Sequence, residues 1–229
     1  MEIWVKRLAL AVALMLALGT VAFGNVELQI TEQGTPYTTG LIFGSPCGGV
    51  PNPETCVMFY GTVGDWTINL TTGDSTQPSG GAIMDLSSIN ATAAAGAAPL
   101  VIQLSDNGFS MASTSWTLAT YGNLVSGSGT VNYSAYLDTG NTLFATTPAD
   151  LIGTFGPFSA GYGASGTFSM SSGTNYALTE QLTITSGSGG VKWSTDSSVA
   201  GTAAAEPGTT LLLSVTTLAG ILFRRKLLS

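Results

Sequence analysis

The feature that most constrains this chain is a period of two. Short stretches alternate polar with apolar or aromatic residues at Val26 to Ile30, Trp66 to Leu70, Leu100 to Leu104, Trp116 to Leu118, Thr130 to Tyr136, Thr167 to Met170 and Tyr176 to Ile184. Alternation over four to eight residues marks strands with one buried and one wet face. Between them lie the turn formers Thr72-Gly73-Asp74, Ser105-Asp106-Asn107-Gly108, Thr139-Gly140-Asn141 and Ser186-Gly187-Ser188-Gly189-Gly190. Many short strands at this spacing predict an all-β domain, a β-sandwich or jelly roll, over residues 25–185. In the run Thr130 to Tyr136, Val131, Tyr133 and Ala135 are expected to face one side, and Asn132, Ser134 and Tyr136 the other. Residues 91–98 have a helix-compatible composition, but Gly96 and Pro99 limit any helix there to a turn or two. The Gly/Ser/Ala-rich segment 186–205 is expected to be a linker.

Charge and residue usage exclude several function classes. The chain has 30 Gly, 32 Thr and 24 Ser among 229 residues, while charged residues make up only 8%. Residues 25–205 carry eleven acidic residues against Lys192 alone, a formal charge of −10. One lysine cannot build the basic face that nucleic-acid binding requires. Histidine is absent, which removes Ser-His-Asp triads, imidazole acid–base catalysis and His-ligated zinc. The reading is of a chain that is not an enzyme and needs no cofactor or metal.

The two ends carry the remaining basic residues. Residues 1–24 place Lys6 and Arg7 before an apolar run from Leu8 to Leu18 and small residues at Ala22 and Gly24, the pattern of a secretory signal peptide with its helix. At the other end, Glu206-Pro207-Gly208-Thr209 precedes an apolar run from Leu211 to Phe223 and then Arg224-Arg225-Lys226. Thr209 to Phe223 would make about 22 Å of helix, short for a ~30 Å hydrocarbon core but sufficient for a transient C-terminal transmembrane helix. The basic cluster acts as a stop-transfer signal and faces the cytoplasm, leaving the ectodomain outside.

That tail, residues 206–229 with Ala205 before it, resembles the PEP-CTERM sorting signal of exopolysaccharide-producing Gram-negative bacteria. Ala205 stands where the first Pro of the motif would be. The resemblance implies a membrane-bound exosortase-type transpeptidase as partner, anchoring in the inner membrane through the C-terminal helix, processing near Pro207, and release to the cell surface or extracellular matrix. It implies exopolysaccharide as a partner too. Residues 84–185, with Leu-Ser-Asp-Asn-Gly-Phe at 104–109 and Tyr-Leu-Asp-Thr-Gly-Asn at 136–141, also resemble uncharacterised ectodomains that accompany this tail, a group that implies no catalytic residues.

The candidate sites in the middle are few. Cys47 and Cys56 flank a Gly/Pro-rich stretch, and in an exported chain their closeness favours a disulfide contributing about 2.5–3 kcal/mol by loop entropy. Asp138-Thr139-Gly140 resembles the active-site loop of aspartic peptidases. No second such triplet exists, so catalysis would need a homodimer; Leu151-Ile152-Gly153 follows too closely for that fold, and a turn-capping role for Asp138 is the simpler reading. Asp65, Asp74, Asp106, Asp138 and Asp150 fall at turn-like positions where oxygen ligands could gather Ca²⁺, without the Asp-x-Asp-x-Asp spacing that would specify it. Trp66, Trp116, Tyr121, Tyr133, Tyr162 and Trp193 offer either sugar-stacking faces or core. Asn69-Leu70-Thr71, Asn90-Ala91-Thr92 and Asn132-Tyr133-Ser134 match a glycosylation pattern by chance in a Ser/Thr-rich chain. The function expected is an exported surface or matrix protein with a structural or adhesive ectodomain, the alternative being a carbohydrate-binding module with a solvent-facing row of aromatics.

Overall fold

The computed structural model describes residues 26–32, 35–39, 55–77 and 81–203. Residues 1–24, expected to be a signal segment, Cys47 and the entire tail, including Glu206 to Thr209 and Arg224 to Lys226, lie outside the described residues. Ten strands and one 3-10 turn make up the described chain: β1 (Glu27–Glu32), β2 (Thr35–Thr39), β3 (Thr55–Val63), β4 (Trp66–Thr76), β5 (Ile83–Ala93), β6 (Leu100–Phe109), β7 (Ser113–Asp138), the turn Pro148–Asp150, β8 (Leu151–Phe158), β9 (Tyr162–Ser169) and β10 (Tyr176–Ala203). All pairings are antiparallel. Among the described residues no helix is long and apolar enough to cross a membrane.

The strands form one ten-stranded sheet that folds over on itself. Two long strands make the fold. β7 and β10 pair along almost their whole lengths, with a register break between Ser186 and Val191. On one side of the break, residues 176–184 of β10 pair with β6, and residues 131–136 of β7 pair with β8. On the other, residues 191–200 of β10 pair with β5, and residues 115–122 of β7 pair with β9. The result is two layers in the orders β2-β1-β6-β10-β7-β8 and β3-β4-β5-β10-β7-β9. The expected all-β, two-layer architecture is what the pairing produces, though its layers share two strands.

Glycine makes the corner possible. A Cβ on Gly127, whose φ is +81°, would stand 2.1 Å from the Gly190 carbonyl oxygen, and one on Gly129 would stand 2.0 Å from that of Thr185. Only a residue without a side chain allows the two backbones this close.

Between the layers lies an apolar core containing Leu28, Ile30, Trp66, Ile68, Leu104, Trp116, Leu118, Tyr133, Leu182 and Trp193, all at most 1% exposed. Val131, Tyr133 and Ala135 face inward as the alternation requires, with Asn132, Ser134 and Tyr136 less buried. Removing side chains of this size from water is the dominant stabilising term, about 1.5–3 kcal/mol each.

Three sequence expectations are corrected. Residues 186–203 are not a linker but the second half of β10, with Val191, Trp193 and Val199 buried. Small polar residues occupy inward positions there because larger neighbours reach them: Tyr162 Oη lies 2.6 Å from Thr195 Oγ1. Thr72-Gly73-Asp74 and Ser105 to Gly108 are strand rather than turn. A Cβ on Gly73 would come within 2.9 Å of Leu104 Cδ1 in the opposite layer, so this glycine serves interlayer packing. Residues 91–93 finish β5 rather than beginning a helix.

Candidate functional site

Asp138 ends β7 and caps the turn that follows. Its Oδ1 accepts from the Gly140 N–H at 2.9 Å and its Oδ2 from the Thr142 N–H at 2.7 Å, while the Asn141 N–H donates to its carbonyl at 3.2 Å. Slight burial pushes its carboxyl up, but the donors from Gly140 and Thr142 outweigh it and leave the pKa below the usual value. This is the Asx-type turn expected of Asp138. Leu151 begins β8 opposite Tyr136.

The other aspartates are dispersed by the fold. Asp65 stands at the β3–β4 turn, where its N–H donates to Glu32 Oε2 at 2.8 Å. Asp74 pairs across from Asp85 on β4 and β5. Asp150 Oδ2 accepts from the Thr147 hydroxyl at 2.7 Å. Asp106 is buried and takes the Ser75 hydroxyl and, at 2.7 Å, the Asn107 N–H. Among the described residues no three such side chains gather in a group that could hold a metal ion. Cys56 on β3 is disulfide-bonded; its expected partner, Cys47, lies outside the described residues.

A buried polar relay crosses the core. Glu180, fully buried on β10, lies 2.7 Å from the Tyr133 hydroxyl through Oε1, and that hydroxyl lies 3.0 Å from the Ser198 carbonyl oxygen in the opposite layer. Burial pushes the Glu180 carboxyl well above the usual range; the Tyr133 contact opposes this, and nearby Asp85 and Asp74 add to it. Its inaccessibility to solvent makes it structural.

Most of the candidate aromatics are core. Trp66, Trp116, Tyr133 and Trp193 are fully buried; Trp66 Nε1 donates to the Ala98 carbonyl at 2.8 Å and Trp116 Nε1 to that of Met170 at 2.7 Å. Tyr162 stacks on Phe158 at 4.1 Å and edges onto Trp193. Tyr121 is the exception at 54% exposed, and Tyr60, which the sequence analysis did not single out, is 83% exposed.

These two tyrosines lie on the outer face of the same layer. Cross-strand pairing aligns Tyr60 on β3, Asn69 on β4, Asn90 on β5, Ser194 on β10 and Asn123 on β7 in one row. Tyr121 stands two residues before Asn123 on the same strand and face. A neighbouring row runs Thr62, Thr67, Thr92, Lys192 and Ser126. Glycines keep this face low beside its larger side chains: a Cβ on Gly163 would meet the Tyr121 ring at 3.2 Å, and one on Gly161 would meet Asn123 Oδ1 at 2.6 Å. The outer face of the other layer also carries a polar row, Gln29, Gln103, Gln181, Ser134 and Thr154. There the polar groups engage one another, with Gln103 Nε2 donating to Gln181 Oε1 at 3.1 Å and the Ser134 hydroxyl donating to Thr154 Oγ1 at 3.0 Å. The Phe144 N–H donates to Ser105 Oγ at 3.0 Å, bringing the loop after β7 onto that layer. An amide- and hydroxyl-rich sheet face flanked by tyrosines can hydrogen-bond polyhydroxylated chains and stack on their rings.

No protein-family model matches the chain, and no curated protein matches it. Among solved structures it is similar to infectious bursal disease virus, Gx strain, at 12% identity and a TM-score of 0.40, covering 80% of this chain and 56% of that one. It is also similar to the adhesin domain of Epf from Streptococcus pyogenes, at 11% identity and a TM-score of 0.38, covering 79% and 59%. A third similar structure is the CBM22-1 xylan-binding domain from Paenibacillus barcinonensis Xyn10C, at 16% identity and a TM-score of 0.30, covering 63% and 90%. The chain spans a little over half the length of the first two. All three likenesses are distant, and the architecture described above stands on the chain's own strand pairing.

Proposed function

We propose that this chain is an exported cell-surface or exopolysaccharide-matrix protein, a non-enzymatic β-rich domain delivered by its two ends. The reading rests on one combination: a signal-like start, and Glu206-Pro207-Gly208-Thr209, an apolar run and Arg224-Arg225-Lys226 at the end. An exosortase-type transpeptidase in the inner membrane would process the tail, and the low-charge, Ser/Thr-rich domain would then sit in a hydrated glycan layer. Asp138 supports the non-enzymatic part, since its carboxylate oxygens are taken up by the turn it caps.

Fractionation of producing cells with intact-mass analysis tests the sorting. A surface-fraction mass ending close to Pro207 is the expected outcome. A chain retaining Arg224-Arg225-Lys226 and confined to the inner membrane would replace this reading with that of a bitopic ectodomain. A second reading, glycan binding, is favoured by the placement of Tyr60 and Tyr121 on one open sheet face.

A further inference from the structure

We infer that the outer face of the β3-β4-β5-β10-β7-β9 layer is a binding site for a neutral, extended polysaccharide, lying across the row from Tyr60 through Asn69, Asn90, Ser194 and Asn123 to Tyr121. The inference rests on the surface-protein reading for the ligand's availability and on the face itself for the ligand's chemistry. Five adjacent strands contribute one outward side chain each to the row, and the pairing registers rather than flexible loops hold them in line. From Tyr60 to Tyr121 is about 20 Å, four inter-strand steps of ~4.8 Å and one two-residue step along β7. That span suits several consecutive sugar rings, with an aromatic face at each end and amides between.

The groups in the row match sugar hydroxyls. Each Asn side chain carries two N–H donors and a carbonyl acceptor, and Ser194 both donates and accepts, as hydroxyls do. Tyrosine combines an apolar ring with a polar tip, which fits it to a ligand that is apolar on its ring faces and wet at its edges. The exposure of Tyr60, at 83%, leaves its ring available to such a ligand.

Charge selects the neutral class. No residue of the row is charged, and on β10 the row is bracketed by Lys192 and Asp196, two residues to either side of Ser194, whose charges offset each other. A polyuronate or sulfated chain would meet a domain of formal charge −10 and one lysine. A polycationic chain would meet Asp196 beside Tyr121, but that carboxylate already accepts from the Ser88 N–H and is offset by Lys192.

Affinity electrophoresis of the full chain in gels containing hydroxyethyl cellulose, galactomannan or alginate tests the site. Retardation by a neutral polymer and none by alginate is expected. Tyr60→Ala and Tyr121→Ala should each weaken retention about three- to tenfold, the range of one aromatic contact. Gln29→Ala, on the other outer face, should leave it unchanged. Retention equal in wild type and both tyrosine variants, retention by alginate alone, or retention by none of the polymers overturns the site. Thermal melting of each variant separates lost binding from lost fold. Failure of the site leaves the fractionation result standing, and a full-length chain held in the inner membrane overturns the surface reading without touching the electrophoresis.

Discussion

At Glu180 burial outweighs a hydrogen bond from Tyr133. The phenol has one proton and two acceptor-type neighbours, Glu180 Oε1 at 2.7 Å and the Ser198 carbonyl at 3.0 Å. The hydroxyl donates to Glu180 Oε1, which draws the carboxyl down, but burial exceeds that pull and pushes Glu180 well above the usual range. Asp106 is held up in the same way, to about 6, by burial that exceeds the opposing hydrogen bonds from Ser75 and the Asn107 N–H. A folded-state pKa above the unfolded one means that the native protein binds the extra proton. For Asp106 that stabilisation is complete below about pH 4 and disappears as the pH rises through about 6, on the order of 2–3 kcal/mol. Glu180, raised by burial, works in the same direction. The melting temperature should therefore rise when the pH is lowered from 7 to 4.5, the opposite of ordinary acid lability, and Asp106→Asn should flatten the profile between pH 4 and 6. Thermal melts across that range decide it; a melting temperature that falls on acidification contradicts the assignment. Both carboxyls were legible in principle, since Glu180 shares the phase of Leu178, Leu182 and Ile184, and Asp106 that of Leu100, Ile102 and Leu104. Composition alone hid them, because acidic residues are expected outside.

At the level of the element, bulges and glycines explain which strands the alternation concealed. β5 buries Met84 and Leu86, then shifts phase to bury Ile89, Ala91 and Ala93. Ser88, at φ 54°, absorbs the extra residue, and its N–H is taken by the Asp196 carboxylate. A strict two-residue period breaks at such a point, so the strand vanishes from the sequence pattern. Asn90 and Thr92, by contrast, match the glycosylation triplet because two outward polar positions on a strand are two residues apart. The corner of β7 and β10 gives a sharp expectation. Gly127→Ala should cost about 2–4 kcal/mol, because the new Cβ meets the Gly190 carbonyl at 2.1 Å at a positive φ. Gly189→Ala, with nothing within 4 Å, should change stability by no more than about 0.5 kcal/mol. Urea unfolding of both variants checks the contrast, and equal losses would remove the corner's special role.

For the whole molecule, β10 is central to both layers, and this makes the C-terminal half of the strand indispensable. A chain cut after Thr185 would lose the partner of β5 and of the first half of β7 together with buried Val191, Trp193 and Val199. It should fail to fold cooperatively, whereas one cut after Ala203 should melt like the full chain; a folded product from the shorter cut would restore the linker reading. The sequence by itself determined the all-β class, the apolar face of most strands, the turn at Asp138 and the acidic, nearly lysine-free character of the domain. Each of these depends on residues close together in the chain, where period, turn chemistry and charge act locally. Only the tertiary structure decided that Ser186 to Gly190 is a corner rather than the start of a linker, that Trp193 is core and Tyr60 is not, and that three asparagines from three strands stand in line. Those outcomes depend on strand register and on which backbones approach closely, and register is set by pairing between residues as far apart in the chain as Asn90 and Ser194.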